Sequence, residues 1–420
     1  MTAVRTALRE NRYLLISWPK CANCGQIPGN LVLSYAMHTV SLKDMYSMFA
    51  INTARVSRSR RFTTFFVAAI CLNGCGYETR TIDNTNQATM VKMSRTLVPL
   101  PPWPDSDELG MANTLGAGTS MRCAYHLNQP DAQVYELSHL RSNDMPSSPW
   151  ATPIQYEYSP TAGVPNSIIA HHPGTKVIGV SGAQGTQMDA FAHFGYLDEV
   201  WDGEGEYPTD KVKYYGGYTE AQVKLTPDSP LRKLGIDKAP PIITSAILLD
   251  AKTYLGKGEP MKAGQQIHGT DIDSMLEKQG LDWRGLLPGD VLYIYTGWSD
   301  HWHEDFYYHG GPGLSIDAAK YLEKKMVVLV ALDNPFTDPV ELGQFSGKSK
   351  PPPGTPSEVA GAPAHYYNLT QSGIHQIQNV ALAQMASDKV WTSCTIILPI
   401  KVVGAAGAPV SPVAVGVPNI

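Results

Sequence analysis

The chain has 420 residues and a formal net charge of -5. Hydrophobic residues make up 43% and charged residues 17%, a balance that excludes a disordered chain or a coiled coil, since both need more charge. The slight acidity argues against a nucleic-acid binder. The counts of 37 Gly, 32 Pro and 21 Tyr predict many turns, short strands and an aromatic interior rather than a helical bundle.

Residues 1–90 differ from the rest of the chain. They show no sustained helical or strand periodicity, and we predict that they form an N-terminal extension that is either signal-like or poorly ordered. Within them, residues 55–76 have the basic, apolar and small-residue order of a signal peptide, although that reading needs a translation start at Met45 or Met48. The apolar run is shorter than the roughly 20 residues of a membrane span. Entry into the secretory pathway and a cytoplasmic location stay open as alternatives.

From residue 95 to residue 420 the chain is predicted to form one domain, made of short apolar runs separated by Gly and Pro. The predicted strands are Val134–Leu137, Val177–Val180, Ile242–Leu249, Asp290–Thr296, Val327–Ala331 and Trp391–Pro399. The predicted helices are Ile272–Gln279, Ile316–Lys325 with Ser315 as N-cap, and Val380–Ser387. The tail after Gly404 is predicted to be a closing loop. The pattern indicates an α/β class with a central sheet and short flanking helices.

The most informative segment is SGAQGTQMDAFAHF, residues 181–194. It resembles the signature His-x-Gly-Thr-His-x-Asp-x-x-x-His of the cyclase family, which includes bacterial kynurenine formamidase and isatin hydrolase. Supporting matches follow in the family's order: residues 135–139, 289–298, 309–315, 373–379 and 398–410. The resemblance implies a single domain with the swivelling β/β/α-like fold of that family, and it also implies a homodimer.

The departures from the signature fall on the metal ligands. In the family these positions hold divalent cations that activate water. Here the first and second histidines of the signature are Ala183 and Gln187, and the late glutamate is Gln378. Asp189 and His193 match the family's residues, and His365 is the candidate for its downstream histidine. We therefore predict no cofactor and assign Asp189, His193 and His365 as catalytic residues.

Three readings of the retained residues stay open. They can form a metal-free proton-transfer group, hold one residual divalent metal as a two-His, one-carboxylate site, or serve only as hydrogen-bonded core residues. The predicted substrate-binding residues are Thr186, Gln187, Phe194, Tyr214, Tyr215, Trp298 and Gln378. A neutral, aromatic-lined cavity favours small apolar or aromatic substrates, and we expect neither a nucleic-acid partner nor stable membrane association.

The resemblance extends to a fungal branch of the family, the hetero-Diels-Alderases of tropolone sesquiterpenoid biosynthesis. It implies the coupling of a tropolone o-quinone methide, formed by dehydration of a hydroxymethyl tropolone, to a humulene-type sesquiterpene. The alternatives are a metal-dependent amide or lactone hydrolase of the kynurenine formamidase type and a catalytically dead small-molecule-binding protein. The sequence has no Gly-x-Ser-x-Gly, Walker or His-Glu-x-x-His motif, so the corresponding enzyme classes lack their diagnostic residues.

Overall fold

The computed structural model describes residues 87–419; the signal-like segment and most of the N-terminal extension therefore lie outside the described residues. Its helices are α1 (Gln87–Arg95), α2 (Ala117–Leu127), α3 (Glu220–Val223), α4 (Ala251–Tyr254), α5 (Gly269–Lys278), α6 (Ile316–Lys324), α7 (Pro363–His365) and α8 (Ala383–Ser387). Its strands are β1 (Gln133–Glu136), β2 (Gln155–Tyr158), β3 (Ala162–Gly163), β4 (Ala170–His171), β5 (Thr175–Ile178), β6 (Gln187–Asp189), β7 (Ile242–Asp250), β8 (Gln266–Ile267), β9 (Val291–Tyr295), β10 (Gly313–Leu314), β11 (Leu329–Leu332), β12 (His375–Gln378), β13 (Thr392–Ile397), β14 (Gly407–Pro409) and β15 (Val413–Gly416). The described chain is a mixed α/β domain with a large curled central sheet and short helices, as predicted.

Nine strands form the central sheet in the order β1-β15-β13-β7-β9-β11-β12-β6-β14. The middle strands β7, β9, β11 and β12 are parallel, and the strands on either side of them pair antiparallel. Apolar residues pack on both faces of β7, β9 and β11, for example Leu248 on one face and Ile247 on the other. Burial on both faces explains why these three strands read as largely apolar runs in the sequence.

Strong sequence patterns correspond to observed elements. Helix α6 begins where predicted, and the Ser315 hydroxyl accepts a hydrogen bond from the Ala318 amide at 3.3 Å, as its N-cap assignment requires. The predicted closing loop after Gly404 is wrong, because β14 and β15 are strands of the central sheet. The Gly and Pro content of this segment disfavours strands, but β14 pairs with β6 and β15 pairs with β13, and the hydrogen bonds of that pairing stabilise both strands.

Helix α2 is anchored to the sheet by covalent and ionic contacts. A disulfide joins Cys123 of α2 to Cys394 of β13. Nearby, Asp290 is fully buried between Arg122 and Arg284, which are 1% and 3% exposed. The Arg284 guanidinium donates two hydrogen bonds to this carboxylate, at 2.8 and 3.1 Å, and Arg122 lies 3.5 Å from it. The carboxylate of Asp290 thus stabilises the charges of two buried guanidinium groups.

Residues 368–370, Asn-Leu-Thr, form an N-glycosylation sequon. Asn368 is fully buried and its amide donates to Gln376 at 3.3 Å, so the folded chain does not present it for glycosylation. Within residues 87–419, no helix is both long and apolar enough to cross a membrane.

Replacing Asp290 should destabilise the fold strongly. Asp290→Ala leaves two buried guanidinium groups without their carboxylate, and we expect a loss of about 3–5 kcal/mol in the free energy of unfolding. The matched control is Asp300→Ala, which removes a partly exposed pair with Lys252 and should cost less than about 1 kcal/mol. Denaturant unfolding measures both; equal losses would contradict a dominant role for the buried network.

Candidate functional site

The candidate site is built on the antiparallel pair β6 and β12. Gln378 lies directly opposite Gln187 in the register of the two strands. Side chains alternate along a strand, so Met188 and Ile377 enter the hydrophobic core while the residues on either side of them face the other way. The polar-apolar-polar order of residues 187–189 and 376–378 is the sequence signal that could have revealed both strands.

The polar face of this pair centres on Asp189, which is 1% exposed. Its Oδ2 atom accepts a hydrogen bond from the Gln378 amide at 2.6 Å and a longer one from the Gln376 amide at 3.3 Å. The Nε2 atom of His365 lies 3.3 Å from the same oxygen. Burial alone would raise the pKa of Asp189, but His193, His365 and the Gln378 amide hold that pKa below its usual value.

His365 bridges two carboxylates. Its Nε2 atom faces Asp189, and its Nδ1 atom makes a short hydrogen bond with Asp338. The second oxygen of Asp338 accepts the backbone amides of Ala364 and His365 at 2.6 and 3.1 Å, which fixes the start of α7. Burial would lower the pKa of His365, but Asp338 and Asp189 raise this pKa to about 10. His365 is therefore an imidazolium at neutral pH.

Sequence reasoning did not find Asp338. It lies six residues beyond the end of β11, in a loop whose path the sequence does not specify. The available signal was its position downstream of the carboxyl end of a parallel strand, where ligands of open α/β sheets commonly bind.

His193 is the second imidazole of the site, with its ring centroid 6.1 Å from that of His365. The side chain faces a cleft whose walls surround the ring. Loss of water around the ring lowers the pKa of His193. Asp189 raises this pKa and the His365 cation lowers it, and the pKa remains below its usual value. The two histidines thus have pKa values displaced in opposite directions, a pattern typical of acid and base pairs.

The cleft has a volume of about 280 Å³ and a mostly apolar wall. The predicted residues Gln187, His193, Phe194, His365 and Gln378 all line it, and Phe194 packs on His365 with ring centroids 4.7 Å apart. The buried Oε1 atoms of Gln187 and Gln378 have no hydrogen-bond partner in the described chain. A polar ligand group or water is needed to satisfy these two acceptors.

Two of the predicted substrate-binding residues lie in buried hydrogen-bonded positions outside the cleft wall. The Thr186 hydroxyl donates to the Asn379 carbonyl at 2.5 Å. The Trp298 indole donates to the Tyr307 carbonyl at 3.2 Å. In these positions both residues support the fold around the site.

The predicted residues Tyr214 and Tyr215 also lie outside the cleft wall, in a separate hydrophobic cluster. The Tyr214 hydroxyl donates to Glu220 at 2.5 Å, and the Tyr215 hydroxyl donates to Asp107 at 2.9 Å. The structure thus brings together five of the ten binding and catalytic candidates at the cleft wall, with Asp189 beneath them and Thr186, Tyr214, Tyr215 and Trp298 elsewhere.

Three candidate metal ligands also meet at this point. Asp189, His193 and His365 each offer one ligand atom, and these atoms lie within 4.8 Å of one another. The set matches a two-His, one-carboxylate site for one cation. To bind it, His365 would have to lose the proton of its Nε2 atom, which lies 3.3 Å from Asp189 Oδ2. The residues therefore fit a single cation only in competition with the hydrogen bonds present.

The raised pKa of His365 predicts a pH-dependent stability. An imidazole has a pKa of about 6.5 in an unfolded chain, and that of folded His365 is about 10. The stabilisation is therefore fully present below pH 6.5 and is lost as the pH rises to about 10. Relative to His365→Gln, the wild type should lose a few kcal/mol of unfolding free energy over this range, on the order set by the shift.

Urea unfolding at several pH values between 6 and 10 measures this difference. His171→Gln is the control, because His171 lies exposed on β4, away from the cleft. Parallel pH profiles for the wild type and His365→Gln would contradict a His365 cation held by Asp189 and Asp338.

Comparisons with known proteins agree with the fold. A family model described as a putative cyclase matches residues 135–339. A solved structure described as a novel cyclase aligns with a TM-score of 0.58 and 21% identity over 74% of this chain and 95% of its own. An isatin hydrolase bound to the product analogue thioisatinate aligns with a TM-score of 0.46 and 15% identity over 70% of this chain and 96% of its own. No curated protein matches the chain. The described residues have the fold of the cyclase family, and residues 135–339 carry its sequence pattern.

Proposed function

We propose that this protein is a secondary-metabolism enzyme that catalyses a metal-independent hetero-Diels-Alder cycloaddition. Its reactants are a tropolone o-quinone methide, formed by dehydration of a hydroxymethyl tropolone, and a humulene-type sesquiterpene. The observation that carries the proposal is the pair of imidazoles, His193 and His365, at the polar end of a cleft whose other walls are mostly apolar. This arrangement supplies proton transfer and apolar binding in one space.

The dehydration step needs an acid and a base. His365 is protonated and donates its proton to the hydroxyl group that leaves as water; His193 is neutral and accepts the proton of the ring hydroxyl. The organic product is a neutral o-quinone methide, and the histidine pair is restored when the proton passes from His193 to His365. Asp189 and Asp338 orient His365 and stabilise its charge.

The glutamines and the apolar wall serve the reactants themselves. The unpaired Oε1 atoms of Gln187 and Gln378 accept hydrogen bonds from the hydroxyl groups of the tropolone. The cycloaddition then needs two neutral reactants held in register, and orientation alone can lower such a barrier by roughly 7–11 kcal/mol. In the family, the residues at these two positions hold a metal that activates water. The neutral amides of Gln187 and Gln378 do not activate water themselves.

Removing either imidazole should slow the reaction. We expect His193→Ala and His365→Gln each to lower the rate of cycloadduct formation by roughly 10²-fold or more, the usual contribution of a positioned acid or base. Purified protein incubated with hydroxymethyl tropolone and humulene, with products resolved by chiral chromatography and mass spectrometry, measures the rate. His171→Ala is the control. Unchanged rates in both site variants would leave only the passive binding protein.

A metal-dependent amide or lactone hydrolase is the second candidate function. It is favoured by one observation, the convergence of ligand atoms from Asp189, His193 and His365 within 4.8 Å. When bound there, a divalent cation would supply an activated water for hydrolysis.

The homodimer, the absence of membrane association and the cellular location stay predictions.

Restoring the missing ligands should create a strong metal site. We expect the triple variant Ala183→His, Gln187→His, Gln378→Glu to bind zinc at about one ion per chain or more after dialysis, while the wild type retains much less. Elemental analysis measures the zinc content, and the triple variant with His193→Ala added is the control. Stoichiometric zinc or manganese in the wild type, with activity lost to a chelator, would overturn the cycloaddition proposal in favour of hydrolysis.

A further inference from the structure

Three aromatic rings from separate parts of the chain meet at one edge of the cleft. Trp150 precedes β2, Phe336 follows β11, and Phe345 lies in the next loop. The ring centroid of Trp150 lies 4.4 Å from that of Phe345 and 5.6 Å from that of Phe336, and the latter two are 5.6 Å apart. We call these three residues the aromatic cluster. None of them was singled out by the sequence patterns.

The local backbone holds the cluster in place. The short turn carrying Phe345 lies between Gly343 and Gly347, whose φ angles of 84° and 71° favour glycine. Phe336 packs edge-on against Tyr308, with centroids 6.4 Å apart, and joins the hydrophobic cluster behind it. Phe336 is thus held by packing against the side chains beneath the cleft wall, and Trp150 lines the same cleft from the loop before β2.

The rings contact one another edge to face, an arrangement that covers less of the ring faces than parallel stacking would. Trp150 is 56% exposed and Phe345 is 46% exposed, although both are large apolar side chains. Exposed apolar groups that gather around a cleft mark a binding surface, because covering them releases their hydrating water.

The charges around the cleft narrow the class of ligand. Among the described residues that line it there is no Lys or Arg, and the ionisable groups there are His193, Tyr308, Asp338 and His365. A carboxylate or phosphate ligand would find no fixed basic partner other than a histidine already bound to two carboxylates. The composition of the wall therefore disfavours anionic ligands, and its mostly apolar surface favours apolar ones.

We propose that the aromatic cluster binds the apolar reactant, a neutral unsaturated hydrocarbon, and so sets the face that this reactant presents to the polar end of the cleft. The inference rests on the proposed function for the identity of the hydrocarbon. Its physical basis is the position of the three rings on the same cleft as His193 and His365. Alkene carbons and methyl groups pack well on the exposed ring faces.

The test is equilibrium binding of humulene in the absence of the tropolone. We expect Trp150→Ala and Phe345→Ala each to weaken humulene affinity by roughly tenfold or more, because each removes a large apolar contact. The control is Trp283→Ala, since Trp283 is also 46% exposed but lies outside the cleft wall, and its affinity should match the wild type. Circular dichroism and thermal melting establish that each variant is folded.

Binding and turnover distinguish the two proposals. Selective loss of affinity in the cluster variants supports the inference, even when no cycloadduct forms and the proposed function fails. Equal affinities in the wild type and the cluster variants, or no humulene binding by the wild type, overturn the inference whatever the activity. Sedimentation analysis adds one more outcome: cluster variants that dissociate a dimer without changing humulene affinity would make the cluster a subunit contact and overturn the inference.

Discussion

The arrangement on which the site depends is the imidazolium of His365 held between Asp189 and Asp338. Buried charges are costly unless they are paired and hydrogen-bonded, so this contact constrains three distant segments at once. Asp189 comes from β6, Asp338 from the loop after β11, and His365 from α7. The backbone amides at the start of α7 bond Asp338 as well, which ties the position of the ring to the position of the helix.

The register of β6 against β12 is the second constraint. With Gln187 opposite Gln378, the pattern places Met188 and Ile377 in the core and the polar residues on the site. A shift of the β6 register by one residue would turn Met188 towards the site and bury the polar side chains of Gln187 and Asp189 in the apolar core. Strand β14 flanks β6 on its other side, so the chain's closing segment also holds the site in register.

The sequence predicted the parts of the fold that have long or regular patterns. Strands β7 and β9 and helix α6 follow from apolar runs and a capping residue. Strands β6 and β12 are only three and four residues long. Their alternation of polar and apolar residues is too short to predict a strand by itself, and both segments were assigned from the motif in which they lie. Asp338 and the aromatic cluster could not be predicted, because their proximity to His365 depends on the paths of loops. The retained residues of the signature did locate the centre of the site.

The charge state of this centre explains which ligands it suits. Two carboxylates brought near one another require a cation, and in the described chain the His365 ring supplies it. The Gln378 amide bonds the same Oδ2 atom of Asp189 that the His365 ring faces. One imidazolium offsets only one of the two carboxylates, so the polar end keeps a negative charge before a ligand arrives. An anionic ligand would be repelled by that charge and would find no lysine or arginine in the wall. A neutral apolar ligand avoids this repulsion, and the exposed aromatic faces supply the free energy of its binding.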